Sequence, residues 1–114
     1  MNPALLHLAL AKSWAYALKE GNAANEVVAA PGAGKRLLLH GLTMQRDTST
    51  ESTIVIVKSG STQILPTILI GDDVPMVWLE FSPPIVLGTN AALVLHLSAA
   101  QGIMTGYSVT TEAL

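Results

Sequence analysis

The sequence predicts an all-β fold, an antiparallel β-sandwich or barrel of about eight strands. Three observations predict it. Turn residues recur about every eight to twelve positions after Gly21, the spacing of short strands joined by hairpins and not of strand–helix–strand units. Residues 52–58, Ser-Thr-Ile-Val-Ile-Val-Lys, are β-branched almost throughout. No stretch after Gly21 combines helical period with helical length.

The first twenty or so residues carry two signals. Asn2-Pro3 suits an N-cap and first helical position, and Gly21 suits a helix end. Yet Leu8, Leu10, Trp14, Tyr16 and Leu18 alternate with small residues, which is the strand period. The expected division is an N-terminal arm over residues 1–11, readable as a short helix, and a sandwich domain over residues 12–114 whose first strand is 13–19. A Gly21-Asn22 turn leads to a second strand at 27–30, and Pro31-Gly-Ala-Gly34 turns the chain into a third at 35–44. After 52–58 and the Ser59-Gly-Ser61 turn comes 62–70. Pro66 cannot donate to a ladder, so that strand is an edge, bulged or interrupted. Gly71-Asp-Asp73 turns into 74–81, and Ser82-Pro-Pro84 breaks the chain again. Strands at 91–97 and 103–111, joined by small residues 98–102, complete the set.

Composition narrows the function. Half of the 114 residues are hydrophobic and only 12% are charged, where about 25% charged is ordinary. A lone domain of this size has too few polar side chains to avoid large apolar patches. An obligate oligomer, or a component of a larger assembly, is therefore expected. A net charge of −2, with six scattered Lys and Arg, offers no basic patch for nucleic acid. No apolar run approaches the length of a membrane helix. Residues 1–11 lack the basic start of a secretory signal and are interrupted by His7. With no Cys, thiol catalysis, disulfides and thiolate metal sites drop out.

Candidate chemical groups read as structural. Gly32-Ala-Gly-Lys-Arg36 resembles a phosphate loop, but Ala29 stands where its first glycine belongs and Arg36 where its hydroxyl belongs. Asp72 and Asp73 lie in a turn tripeptide, and two carboxylates alone supply too few oxygens for a calcium site. His7, His40 and His96 each sit among apolar neighbours, outside any metal spacing. No nucleophile elbow occurs, and Glu26, Glu51, Glu80 and Glu112 are spread one to a segment. Glu80, between Leu79 and Phe81, is expected to face solvent or to pair with a cation across a subunit boundary. Neither an enzyme nor a cofactor is expected. Trp14 and Trp78 are expected as core or interface anchors. Leu5, Leu6, Leu8 and Leu10 mark the arm as a candidate interface segment, and Phe81 joins Trp14 and Trp78 as a candidate interface residue.

Four segments carry a resemblance. They are Val27-Val-Ala-Ala-Pro-Gly-Ala-Gly-Lys-Arg-Leu38, Ile54-Val-Ile-Val-Lys-Ser-Gly-Ser61, Leu87-Gly-Thr-Asn-Ala-Ala-Leu-Val-Leu-His-Leu-Ser98 and Gly106-Tyr-Ser-Val-Thr110. Their order resembles that of small virion structural proteins of tailed bacteriophages, of the capsid cement or decoration type. The chain departs from that pattern at Gly71-Asp-Asp-Val and Phe81-Ser-Pro-Pro84, where the family often has Gly-Gly and Gly-Trp. The resemblance implies a jelly-roll-like sandwich that self-associates, often as a trimer. It implies a place on the outside of a phage head, bound to the major capsid protein, or in a tail, after synthesis in the host cytoplasm. From the composition, neither nucleic acid nor membrane is expected as partner. A tail or host-recognition module that grips a glycan or receptor is the alternative.

Overall fold

The computed structural model describes residues 14–19, 24–46, 52–71, 74–98 and 102–114. Nine strands appear among them and no helix: β1 Ala15–Lys19, β2 Ala24–Val28, β3 Lys35–Arg46, β4 Thr53–Ser59, β5 Thr62–Gln63, β6 Ile68–Ile70, β7 Met76–Thr89, β8 Leu93–Leu97 and β9 Ile103–Ala113. They form two antiparallel sheets. The first has the order β1-β9-β3-β7. In the second, β2-β8-β4 is continued by β5, and β6 also pairs with β4. Counting β5 and β6 as halves of one strand gives eight, and the chain crosses between the sheets at nearly every step. That interleaving is the strand order of a jelly roll, so the all-β, jelly-roll-like sandwich expected from the sequence is the fold observed.

The core lies between the sheets and is built by alternation. Leu93, Leu95 and Leu97 of β8 and Val55 and Val57 of β4 all point inward and are fully buried. On β3 the inward set changes phase, from Leu37 and Leu39 to Leu42 and Met44. The cause is a bulge: β3's register with both neighbours slips between Leu39 and Gly41. One extra residue flips the parity, and this allows the run Leu37-Leu-Leu-His-Gly-Leu42 to serve one core.

Pro66 interrupts its strand as expected. β5 pairs with Lys58 and Ser59 of β4, β6 pairs with Thr53, Ile54 and Val55, and the proline falls between them on the sheet's edge. The prolines at 83 and 84 correct the sequence reading, because β7 runs straight through them. Two facts permit this. β7 is an edge strand, so a missing N–H on its open side forfeits no ladder bond. Its register also jumps from Gly41↔Glu80 to Leu39↔Ile85, so Phe81-Ser-Pro-Pro84 is accommodated as a bulge.

The second strand is Ala24–Val28 and not 27–30. Pairing with β8 brings Val27 into the core, and the chain then leaves toward Gly32 and Gly34, whose φ values of 112° and 73° form the turn. The first strand starts at Ala15. The proposed arm over 1–11 and the Gly21-Asn22 turn lie outside the described residues.

A candidate interaction face on the first sheet

Side chains that alternate away from the core cover the outer face of the first sheet. Register aligns them in rows across all four strands. One row runs Tyr16, Gly106, Thr43, Trp78. The next runs Leu18, Met104, Gln45, Met76. On the other side Ser108, Gly41 and Glu80 stand in line. Aromatic residues thus come from the two outermost strands, and in the rows of Trp78 and Glu80 small residues occupy the middle.

The glycines shape this face. A Cβ on Gly41 would lie 2.5 Å from Trp14 Cη2, and one on Gly106 would lie 2.6 Å from Tyr16 Cε1. Each ring therefore comes within contact of bare backbone, the close approach that glycine inside a strand permits. The Trp14 indole reaches from the β1 side to β3 and meets Trp78 of β7, with ring centroids 5.6 Å apart and planes at 57°. A tilted pair of this kind contributes about 0.5–1.5 kcal/mol beyond its buried area. Rings from opposite margins of the sheet thus meet above its centre.

The upper surface of this layer is open. Tyr16 is 64% exposed, Trp78 58%, Met76 44%, Leu18 42% and Met104 39%. Trp78 Nε1 donates to Glu80 Oε1 at 3.2 Å, so the indole's polar atom is satisfied within its own strand. Glu80 is the only charged side chain in the three rows. It is exposed, and the indole holds its carboxylate.

The outer face of the second sheet is aliphatic and more mixed. Leu69 stands opposite Ile54, at 59% and 44% exposure. Beside them Ile56 faces His96, while Lys58, Val94 and Glu26 share a row.

The remaining candidates take ordinary places. Phe81 is half-buried against the core, on the inner side of β7, and so lies apart from Trp14 and Trp78. Leu5, Leu6, Leu8 and Leu10 lie outside the described residues, as do His7, Asp72 and Asp73. His40 Nε2 and Thr110 Oγ1 are 2.8 Å apart on the first sheet, and His96 belongs to the second, so these two histidines do not meet. Among the described residues no three His, Asp or Glu side chains are grouped to hold a metal ion. Arg36, at the phosphate-loop look-alike, pairs with Glu112 at 2.8 Å on a strand. An open hollow of about 460 Å³ near the Gly60 turn has Ser59, Thr62, Ile64, Val86 and Ala91 in its lining and no charged side chain.

The alternation in the sequence groups Trp14 with Tyr16 and Leu18, and Trp14 and Trp78 are expected anchors, but nothing local adds Met76 or Met104 to the same face. The available signal was Gly41 and Gly106, each inside an apolar strand pattern, where glycine marks close approach of another group. Comparison of the chain with family models, with curated proteins and with solved structures found no match.

Proposed function

We propose that this chain is a virion structural protein of a tailed bacteriophage, a capsid cement or decoration protein that binds across joints of the head shell and stabilises it. The observation that carries this reading is that apolar side chains are exposed on both outer faces of one thin sandwich. Tyr16, Trp78, Met76 and Met104 lie on one side, Ile54 and Leu69 on the other. A protein that bridges neighbours must be gripped on two sides at once. Burial of such surface stabilises by about 25 cal/mol per Å² before association costs are subtracted. Repetition over many symmetry-related sites multiplies a modest single affinity. The jelly-roll strand order and the four sequence segments of the phage resemblance support the same role. The partners in this reading are further copies of the chain, as a trimer, and the major capsid protein. The test is to add the purified protein to shells that lack it and heat them. Bound protein and a raised shell disruption temperature support the role, and absence of binding overturns it.

A second reading has one observation in its favour. Trp78 is exposed beside the Glu80 carboxylate and Tyr16 is exposed in the same row as Trp78, and stacking plus a hydrogen-bonding acid is how a sugar ring is held. A tail or host-recognition module would show this by binding host-surface glycans while ignoring shells.

A further inference from the structure

We infer that the outer face of the first sheet is where one copy of this chain packs against a second copy. The inference rests on the structural-protein reading above and names the partner of one of its two faces.

The chemistry of the face points to a permanent cover. Interfaces concentrate aromatic residues and Met and shed Lys, Glu and Asp, and obligate ones are the most apolar. Trp14, Tyr16, Leu18, Met76, Trp78 and Met104 share this face with one amide, Gln45, and one carboxylate, Glu80, which stands at the margin and already accepts a hydrogen bond from the face itself. A face that met its partner only occasionally would have to tolerate water between encounters, and this one is poorly equipped to do so. The partner present at equal number from synthesis onward is the same polypeptide.

Area agrees. At up to about 250 Å² for each aromatic ring and somewhat less for Leu and Met, the five exposed side chains of the face leave roughly 500 Å² open to solvent. That lies in the upper part of the range for the largest patch of an ordinary monomer, about 300–600 Å². It supplies more than half of the ~800 Å² that each partner of a stable complex covers. Polar satisfaction agrees as well. The Trp78 N–H is bonded in its own chain, and Thr43 and Ser108 are already buried. A second copy can therefore cover this layer without stranding those groups. Met76 and Met104, flexible side chains in the adjoining row, can adapt to the partner's rings.

The chain has two tryptophans, Trp14 and Trp78, and both belong to this face. Tryptophan emission therefore reports its covering directly. Light scattering is expected to give a multiple of the 11.9 kDa chain. On dilution, emission should move to longer wavelength in step with the loss of mass. Met76→Glu combined with Met104→Glu keeps both tryptophans and should yield the single chain with red-shifted emission and an unchanged far-ultraviolet β spectrum. Should that pair fail to fold, Trp78→Ala removes the largest contact without adding charge, and it too should give the single chain. A wild-type monomer overturns the inference. So does an oligomer whose tryptophans stay exposed, one that survives both substitutions, or a monomer whose emission responds to host oligosaccharide. An oligomer that these substitutions dissolve but that never binds shells upholds the inference and removes the cement role. Shell binding lost on Met104→Glu with mass unchanged does the reverse.

Discussion

The indole of Trp14 lies across the backbone of Gly41, so close that a methyl group at residue 41 would stand 2.5 Å from its Cη2. Gly41 is thus the floor on which one of the two tryptophans rests, and its missing side chain lets Trp14 reach Trp78.

Gly41→Ala should lift the indole and loosen its 5.6 Å contact with Trp78. Overpacking of this kind costs about 1–3 kcal/mol, and the lower end is expected because Trp14 lies at the start of an edge strand. Urea unfolding at fixed protein concentration measures the loss. In a Trp14→Ala background the same substitution should cost almost nothing, a coupling of about 1 kcal/mol in the double-mutant cycle. Equal costs in both backgrounds would contradict the contact.

Leu95→Ala tests the inner face. Leu95 is fully buried on β8, between β2 and β4, and truncation there should cost about 2–5 kcal/mol. For a domain of this size the thermal midpoint should fall by on the order of 10 °C or more. Ile54→Ala, on the outer face of the adjacent strand, should stay within about 0.5 kcal/mol. Similar losses at both positions would mean that inside and outside have been misassigned.

Thr53 is fully buried, and among the described residues its Oγ1 meets no hydrogen-bond partner. An unpaired buried hydroxyl costs about 1–3 kcal/mol. Thr53→Val, of the same shape without the oxygen, should therefore raise the urea midpoint, by about 1 kcal/mol in stability. A loss instead would show that the hydroxyl is bonded in solution.

Arg36 Nε and Glu112 Oε2 join β3 to β9 at 2.8 Å, but both side chains are about one-third or more exposed. Solvent screening holds such pairs below about 1 kcal/mol. Glu112→Gln should shift stability by less than that, and added salt should shrink the difference further. A larger, salt-resistant loss would reveal a structural role beyond the ion pair.

Much of the fold is legible in local pattern. The β-branched run of β4 and the alternating leucines of β8 state their period and their buried side without outside help. Pro66 announces an interrupted margin because a proline has no N–H to give. The prolines at 83 and 84 mislead by the same logic. They read as a stop only if the strand is assumed to need bonds on both sides, and an edge strand does not. The Val27 segment misleads differently, because its extent depends on pairing with β8, some seventy positions away. The apolar outer face of the first sheet is legible only in fragments. Trp14, Tyr16 and Leu18 share one strand alternation and Met76 and Trp78 another, but only the register of β1, β9, β3 and β7 joins the two sets and adds Met104. A further local hint is a pair of glycines inside apolar strands, whose meaning appears once the rings above them are seen.

Three prolines sit on outermost strands, Pro66 between β5 and β6 and the pair at 83 and 84 within β7. An exposed margin invites foreign strands to zip on and grow into filaments, and prolines blunt that tendency. Among the described residues, two of the four sheet margins are therefore poor templates for end-to-end polymerisation, so the exposed apolar side chains of the broad faces are not accompanied by inviting rims on these two sides.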